Sequence, residues 1–305
     1  MSFFYDLAGE EHELGLAALE LWALTGAEAT GRLGLGSAGA DVSRAAYVRF
    51  CARELARGAT NGELLGRIAR LDLQSDRFRI DCVMRPTGGT THSDLIIKVA
   101  NILPGYPDLD RPLVRYVILR SEGAWRFGEI ISRSSRLHLG LAGRPHNLSH
   151  ALPGQFALAL VNAAAAPGDT LIDPCCGSGT CLIAALAAGI AVSGADLQEG
   201  SVDITRKNLA HFGMAPPLWV GDARQLRGHY DAAVVDFPYG LTLRTDPVVQ
   251  REILAALRQV TERIVVVTGL PAEDDLTEAG FRVVRSAQVP KNSLVRHVYL
   301  ALADG

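Results

Sequence analysis

Thr170-Leu-Ile-Asp-Pro-Cys-Cys-Gly-Ser-Gly-Thr180 is the stretch from which the fold is read. A short apolar run, Thr170–Asp173, closes on an acid. Small residues then lead into an apolar segment over 179–188 that suits a helix. Gly177 and Gly179 tolerate positive φ and let a backbone approach a ligand closely, which larger residues prevent. The spacing is not the Gly-x-Gly-x-x-Gly of a dinucleotide fold, and no Gly-Lys-Ser/Thr follows, so a P-loop is excluded. A glycine-rich turn between a strand and a helix is common to many nucleotide-binding folds, so the stretch must be weighed with what surrounds it.

Working outward, strand and helix patterns alternate regularly, as in a doubly wound parallel sheet. Strands are expected at 190–196, 218–221, 232–236 and 263–269, helices at 201–212 and 247–258, and two closing strands at 281–289 and 295–303. Acids end three of these strands. Asp196 lies 23 residues beyond Asp173, close to the ~20-residue offset at which an acid meets ribose hydroxyls. Asp222-Ala223 follows the next strand, where a carboxylate can accept from an adenine amine. Asp also caps helices after strands, so neither acid is decisive alone. Asp236-Phe237-Pro238-Tyr239-Gly240 comes directly after Ala232–Val235. A carboxylate and a backbone carbonyl there can accept the N–H bonds of a planar exocyclic amine, with the tyrosine stacked on its ring.

Together these residues resemble S-adenosylmethionine-dependent amino-methyltransferases, whose (Asp/Asn)-Pro-Pro-(Tyr/Phe) signature is present as Asp236–Tyr239 with Phe237 in place of the first Pro. More narrowly, the chain is similar to the THUMP-containing tRNA guanine-N2 methyltransferases. Arg144-Pro145, Leu152-Pro153, Leu160-Val161-Asn162, Lys207-Asn208-Leu209, Gly221-Asp222-Ala223 and Lys291-Asn292-Ser293-Leu294-Val295-Arg296 extend the likeness. The resemblance implies a Rossmann-like α/β domain whose last strand is antiparallel, preceded by an α+β ferredoxin-like and THUMP-like region. It implies S-adenosylmethionine as cofactor, held by Asp173, Cys175, Gly177, Ser178, Gly179, Thr180, Asp196, Leu197, Asp222 and Ala223. Asp236, Phe237, Pro238 and Tyr239 become the catalytic set, and the N2 amine of a guanosine in tRNA the target. The same chemistry serves a DNA adenine-N6 or a protein glutamine-N5 methyltransferase, and a catalytically silent RNA-binding protein would keep the same shell. The nucleotide position, the number of methyls, the oligomeric state and any need for a small activator subunit stay open.

The first half lacks the parallel-sheet rhythm. Strands are expected at 3–7, 47–52 and 78–84, a hairpin over 114–131 turning through Ser121-Glu122-Gly123, and helices at 11–25, 62–69 and 92–102, the last capped by Thr90 or Thr91. Expected boundaries are a ferredoxin-like piece 1–73, a shortened THUMP-like region 74–136, a Gly/Pro-rich linker 137–153 and the methyltransferase domain 154–305.

Composition fits a globular protein: 305 residues, 48% hydrophobic, 21% charged, net charge −3. Residues 1–150 hold 18 basic and 17 acidic side chains, so neither half is the strongly basic body of a non-specific nucleic-acid binder. Arg111, Arg115, Arg120, Arg126, Arg133 and Arg136 punctuate the hairpin region, either facing phosphates or as solvated strand faces. Five cysteines, an odd number in a long chain without a secretory prefix, argue for reduced thiols in a cytoplasm. Cys175, Cys176 and Cys181 cluster without a companion His, so they read as small buried residues and no metal site is expected. His146 and His150, in the linker, lack a metal-binding context. The longest apolar stretches fall short of the ~20 residues of a membrane span.

Overall fold

The computed structural model describes residues 1–84, 92–146, 151–238, 246–291 and 294–304. Two compact units alternate along the chain: Met1–Leu7, Thr25–Ser43 and Val48–Arg133 form one, and Ala8–Leu24, Arg44–Tyr47 and Ser134–Gly305 the other. In chain order the first half contains β1 (Phe3–Leu7), α1 (Leu14–Thr25), β2 (Glu28–Thr30), β3 (Leu33–Gly36), β4 (Val48–Gly58) and α2 (Asn61–Ile68). It continues with β5 (Arg77–Met84), α3 (His92–Ala100), β6 (Tyr106–Pro107), β7 (Val114–Ser121) and β8 (Ala124–Arg133).

Among the described residues, the first unit is built on an eight-stranded sheet in the order β2-β3-β1-β4-β8-β7-β5-β6. Its strands alternate because both faces are covered. Tyr116 and Ile118 of β7 join Phe78, Leu64 and Phe127 in one core, while Val117 and Leu119 join Phe4 and Phe50 in another. The crossover from β5 through α3 to β7 makes those two strands parallel. Glu122 and Gly123 both have positive φ, as a two-residue hairpin turn requires, and join β7 to β8 where the sequence placed the turn. Thr60 caps α2 by accepting from the Glu63 amide at 3.2 Å. Thr90 and Thr91, the expected caps of α3, lie outside the described residues. Several arginines of this unit are paired: Arg79 and Arg133 share Asp81, Arg53 meets Glu129, and buried Arg126 meets Glu54. β4 extends to Gly58, beyond the expected end at Ala52, because its polar continuation pairs with β8 through Gly58↔Trp125.

The second unit comprises α4 (Leu137–Gly140), α5 (Gly154–Ala164), β9 (Thr170–Asp173), α6 (Thr180–Ala187), β10 (Ala191–Asp196), α7 (Glu199–His211) and β11 (Leu218–Val220). β12 (Ala232–Asp236), α8 (Pro247–Arg258), β13 (Arg263–Thr268), α9 (Glu273–Glu278), β14 (Phe281–Lys291) and β15 (Leu294–Ala303) follow. The described strands form a sheet in the order β11-β10-β9-β12-β13-β15-β14. The first five are parallel, and β15 is antiparallel to both neighbours. This is the Rossmann-like order with an antiparallel last strand. α5 is buried from Phe156 to Ala164, which explains why its sequence is apolar all round.

α1 belongs to this second unit although it lies near the N-terminus. Its Glu20 is fully buried and accepts from the amides of Ala46 and Tyr47 and from Asn162 Nδ2 of α5, each at 2.7 Å. Arg44 donates to Asn162 Oδ1 at 3.0 Å and to the Ala165 carbonyl at 2.8 Å. On the same helix, Trp22 lies under the Arg285 guanidinium at 4.6 Å. The compact units thus divide the chain differently from the boundaries read in the sequence, since strands on both sides of residue 73 share one sheet.

Removing the Glu20 carboxylate leaves three buried donors without their acceptor. Glu20→Ala is expected to lower the unfolding free energy by at least about 3 kcal/mol, read by urea denaturation. A loss below about 1 kcal/mol would show that the network does not hold α1 in place.

Candidate active site

Four acids stand at or just past the carboxyl ends of four adjacent strands. Asp173 ends β9, Asp196 ends β10, Asp236 ends β12, and Asp222 follows β11 by two residues. The strand order reverses between β9 and β12, and open α/β sheets bind ligands at such a point. The register places Asp173 beside Gly194 and Asp236 beside Val267.

The loop between β9 and α6 is shaped by hydrogen bonds to these acids. The Gly177 amide donates to Asp196 Oδ2 at 2.9 Å, the Cys175 amide to Asp173 Oδ1 at 3.2 Å, and the Cys176 amide to the Ala195 carbonyl at 2.9 Å. Asp196 also accepts from the Gln198 amide at 3.0 Å, and its exposed neighbour Leu197 begins the following turn. Gly179 takes φ +79°, and a Cβ built there meets Thr205 Cγ2 at 2.8 Å. α7 grips the loop from the side. Thr205 Oγ1 donates to the Gly177 carbonyl at 2.7 Å, and Asn208 Nδ2 donates to the Ser178 carbonyl at 2.9 Å. Asn208 also exchanges two hydrogen bonds with the backbone of His146. Thr180 opens α6, and its Oγ1 is bonded by Arg144.

Arg144 belongs to the residues that carry the family likeness, which implies no role for it. It also donates to the Leu152 carbonyl at 3.3 Å, its Nε is buried without an acceptor, and no carboxylate of the described residues is among the charges that act on it. Burial lowers its pKa. An uncompensated guanidinium beside the N-terminus of α6 makes this end of the loop a place for an anionic group. Thr205 and Asn208 were not singled out as site residues either. The signal for Thr205 is indirect: a left-handed glycine packed against a neighbouring helix requires a small side chain opposite.

The strand ends are electrostatically crowded. Asp173 is buried, and burial raises its carboxyl well above the ordinary range, with the charges of Asp236 and Asp196 adding to the effect against the Cys175 amide bond. The thiols of Cys175, Cys176 and Cys181 are pushed up by burial and by Asp173. Asp222 differs: the Arg224 side chain engages both its oxygens at 2.6 to 3.0 Å, the Arg224 amide donates to it at 2.9 Å, and these bonds hold its carboxyl below the usual range. Ala223, beside it, is buried in the core shared with Phe237.

Phe237 is buried, and its amide donates to the Val267 carbonyl at 3.0 Å, a bond that a proline at this place has no N–H to make. Pro238 is exposed at the strand end. Tyr239 and Gly240 lie outside the described residues. The structure thus brings Asp173, Cys175, Gly177, Ser178, Gly179, Thr180, Asp196 and Asp236 to one edge of the sheet.

Residues 142–278 match the UPF0020 family, described as "RMKL-like, methyltransferase domain". The chain therefore carries a Rossmann-like methyltransferase domain. Among curated proteins it is similar to the tRNA (guanine(10)-N2)-dimethyltransferase of Methanothermobacter thermautotrophicus, 37% identical over 152 residues, 45% of this chain and 43% of that protein. The protein of the same name from Pyrococcus abyssi is 29% identical over 172 residues, 52% of this chain and 51% of the relative. The matched part spans about half the length of these relatives. The whole chain shares its fold with the crystal structure of TrmN from Thermus thermophilus, with a TM-score of 0.51, 21% identity and full coverage of both chains. No helix among the described residues is long and apolar enough to cross a membrane.

Two outcomes test this geometry. Gly179→Ala combines a left-handed backbone with the Thr205 methyl and is expected to cost about 2 kcal/mol. Thr205→Ser removes that methyl and keeps the hydroxyl, so the double variant should recover part of the loss in denaturant titrations; strict additivity refutes the contact. Because the folded-state pKa of Asp173 is raised, folding binds a proton, and stability falls as pH rises above about 4. Asp173→Asn abolishes that loss, so its thermal midpoint should gain on the wild type from pH 5 to pH 8. A constant difference between the two proteins rejects the assignment.

Proposed function

We propose that this protein is an S-adenosylmethionine-dependent methyltransferase that acts on the exocyclic N2 amine of a guanosine in tRNA. The observation that carries the reading is the row of strand-end carboxylates framing a left-handed glycine loop, with Asp236-Phe237-Pro238 on the far side of the switch point. The names of the curated relatives supply the substrate class.

The residues fit the cofactor. Arg144 and the start of α6 suit its carboxylate, and Gly177–Thr180 make the loop it would lie against, braced from behind by Thr205 packed on Gly179. The acidic strand ends suit its positive sulfonium, which supplies an electrophilic methyl group. Asp196 takes the ribose hydroxyls, with Leu197 beside it. Asp222 and the Ala223 amide take the adenine, which requires Arg224 to release an oxygen of Asp222. On the other side, the Asp236 carboxylate and the Phe237 carbonyl accept the N–H bonds of the target amine and aim its lone pair in line with the methyl. Tyr239 stacks on the base, which leaves its stack to enter. Alignment and oriented acceptors provide the acceleration, and the proton departs after the methyl has moved.

The first unit, with its β5-α3-β7 crossover, is the THUMP-like part and holds the tRNA. Of its arginines, Arg53, Arg79 and Arg133 are already paired with acids. The five free thiols suit a cytoplasmic setting.

The first experiment is incubation with labelled S-adenosylmethionine and unmodified bulk tRNA, followed by digestion to nucleosides. Labelled N2-methylguanosine is expected; N6-methyladenosine would redirect the reading to adenine. Asp236→Ala should lose at least ~10²-fold in rate while cofactor still binds, and near-normal turnover would sink the assignment. Arg144→Ala should weaken S-adenosylhomocysteine binding about tenfold or more in calorimetry; unchanged affinity would remove Arg144 from the cofactor site.

A further inference from the structure

Arg144 lies in neither a helix nor a strand, so no backbone ladder fixes where its guanidinium stands. Its side chain reaches Thr180 Oγ1 at the start of α6 and the Leu152 carbonyl. Ordering so long a side chain costs rotamer entropy, and the cost is smallest when its stem is already held.

The backbone on both sides of the Arg144–Thr180 contact converges on one side chain. Asn208, on α7, is fully buried. Its Nδ2 donates to the Ser178 carbonyl at 2.9 Å and to the His146 carbonyl at 2.8 Å. Its Oδ1 accepts from the His146 amide at 3.0 Å. Ser178 comes two residues before Thr180, and His146 two residues after Arg144. A single carboxamide therefore sets the spacing between the stem of the arginine and the start of α6. The loop end of this clasp is itself firm. The Gly179 amide, in the peptide that follows Ser178, donates to the Cys176 carbonyl at 2.7 Å. Thr205, three residues before Asn208 and on the same face of α7, donates to the Gly177 carbonyl at 2.7 Å.

Asn208 spends both amide protons and one oxygen lone pair on backbone, so it acts through the groups it holds. We propose that Asn208 is a positioning residue that clasps the segment carrying Arg144 to the cofactor loop, and so sets how tightly the carboxylate of S-adenosylmethionine is held. The inference rests on the placement of that carboxylate at Arg144 and deepens it by naming what keeps the arginine there. Other small side chains do not replace the clasp. A serine hydroxyl has one proton and can hold one of the two carbonyls, but it cannot join them.

The test compares, by calorimetry, S-adenosylhomocysteine with its decarboxylated analogue, which keeps the adenosine and the ammonium. The wild type should prefer S-adenosylhomocysteine by about 10- to 100-fold, and Arg144→Ala should remove most of that preference. Asn208→Ala and Asn208→Ser should each lower it at least about fivefold, by weakening S-adenosylhomocysteine while the analogue binds nearly as before. Added to Arg144→Ala, the Asn208→Ala change should leave the preference where it is, because the group it positions is gone. Thermal melts establish that each variant is folded. If both ligands weaken together in the Asn208 variants, the side chain only props up the loop and the inference falls. It falls equally if the preference survives both substitutions, or if Asn208→Ala lowers it further in the absence of Arg144. A wild type that binds both ligands alike, or an Arg144→Ala variant that keeps the preference, removes the carboxylate from Arg144 and this inference with it.

Discussion

Carboxylates gathered on one sheet edge repel one another, and the local structure follows from how that repulsion is relieved. Asp196 is answered by the amides of Gly177 and Gln198, Asp222 by Arg224, and Asp173 by the Cys175 amide, while burial and its acidic neighbours raise its pKa. These answers need amides presented by a tight loop, and the loop needs Gly179 in the left-handed region with Thr205 and Asn208 behind it. The glycine loop is thus as much a consequence of the acids as a cradle for a ligand. The same edge draws a cation from outside the sheet, Arg144 from the segment before α5.

The second requirement is buried and far from that edge in sequence. Glu20 and Asn162 tie α1 to α5, and α5 contributes to the layer that supports β12 and β13. A carboxylate without solvent contact is tolerated because three N–H donors converge on it. The second unit therefore takes in Ala8–Leu24 and Arg44–Tyr47 as well as Ser134–Gly305, beyond the expected domain of 154–305.

The legible parts of the sequence were those where local pattern and tertiary role agree. The apolar runs of β9, β12 and β13 and the cap of α2 have local causes, and the expected positions of β12 and α8 match the structure to the residue. The loop and the acids of the site could be read because glycine and strand-end aspartate carry their reason in their chemistry. Other features had no local sign. The polar second half of β4 is a strand because β8 pairs with it, and α1 joins the catalytic unit through one buried glutamate that looks, in sequence, like any residue of an amphipathic helix. Arg144 reads as part of a linker until its bond to Thr180 is seen. The substitution of Phe237 for a proline is accounted for only by the Val267 carbonyl that its amide reaches.

The interleaving of the two units along the chain bears on how such a protein is inherited. A single genetic crossover near residue 134 would join the catalytic sheet of one parent to the α1 helix and the Arg44–Tyr47 segment of another. The offspring would have to match Glu20 from one lineage with Asn162 from the other, a buried pair that has no room for compromise. Front and catalytic portions are accordingly expected to descend together, and a laboratory chimaera works best when the short inserted segments travel with the sheet they serve.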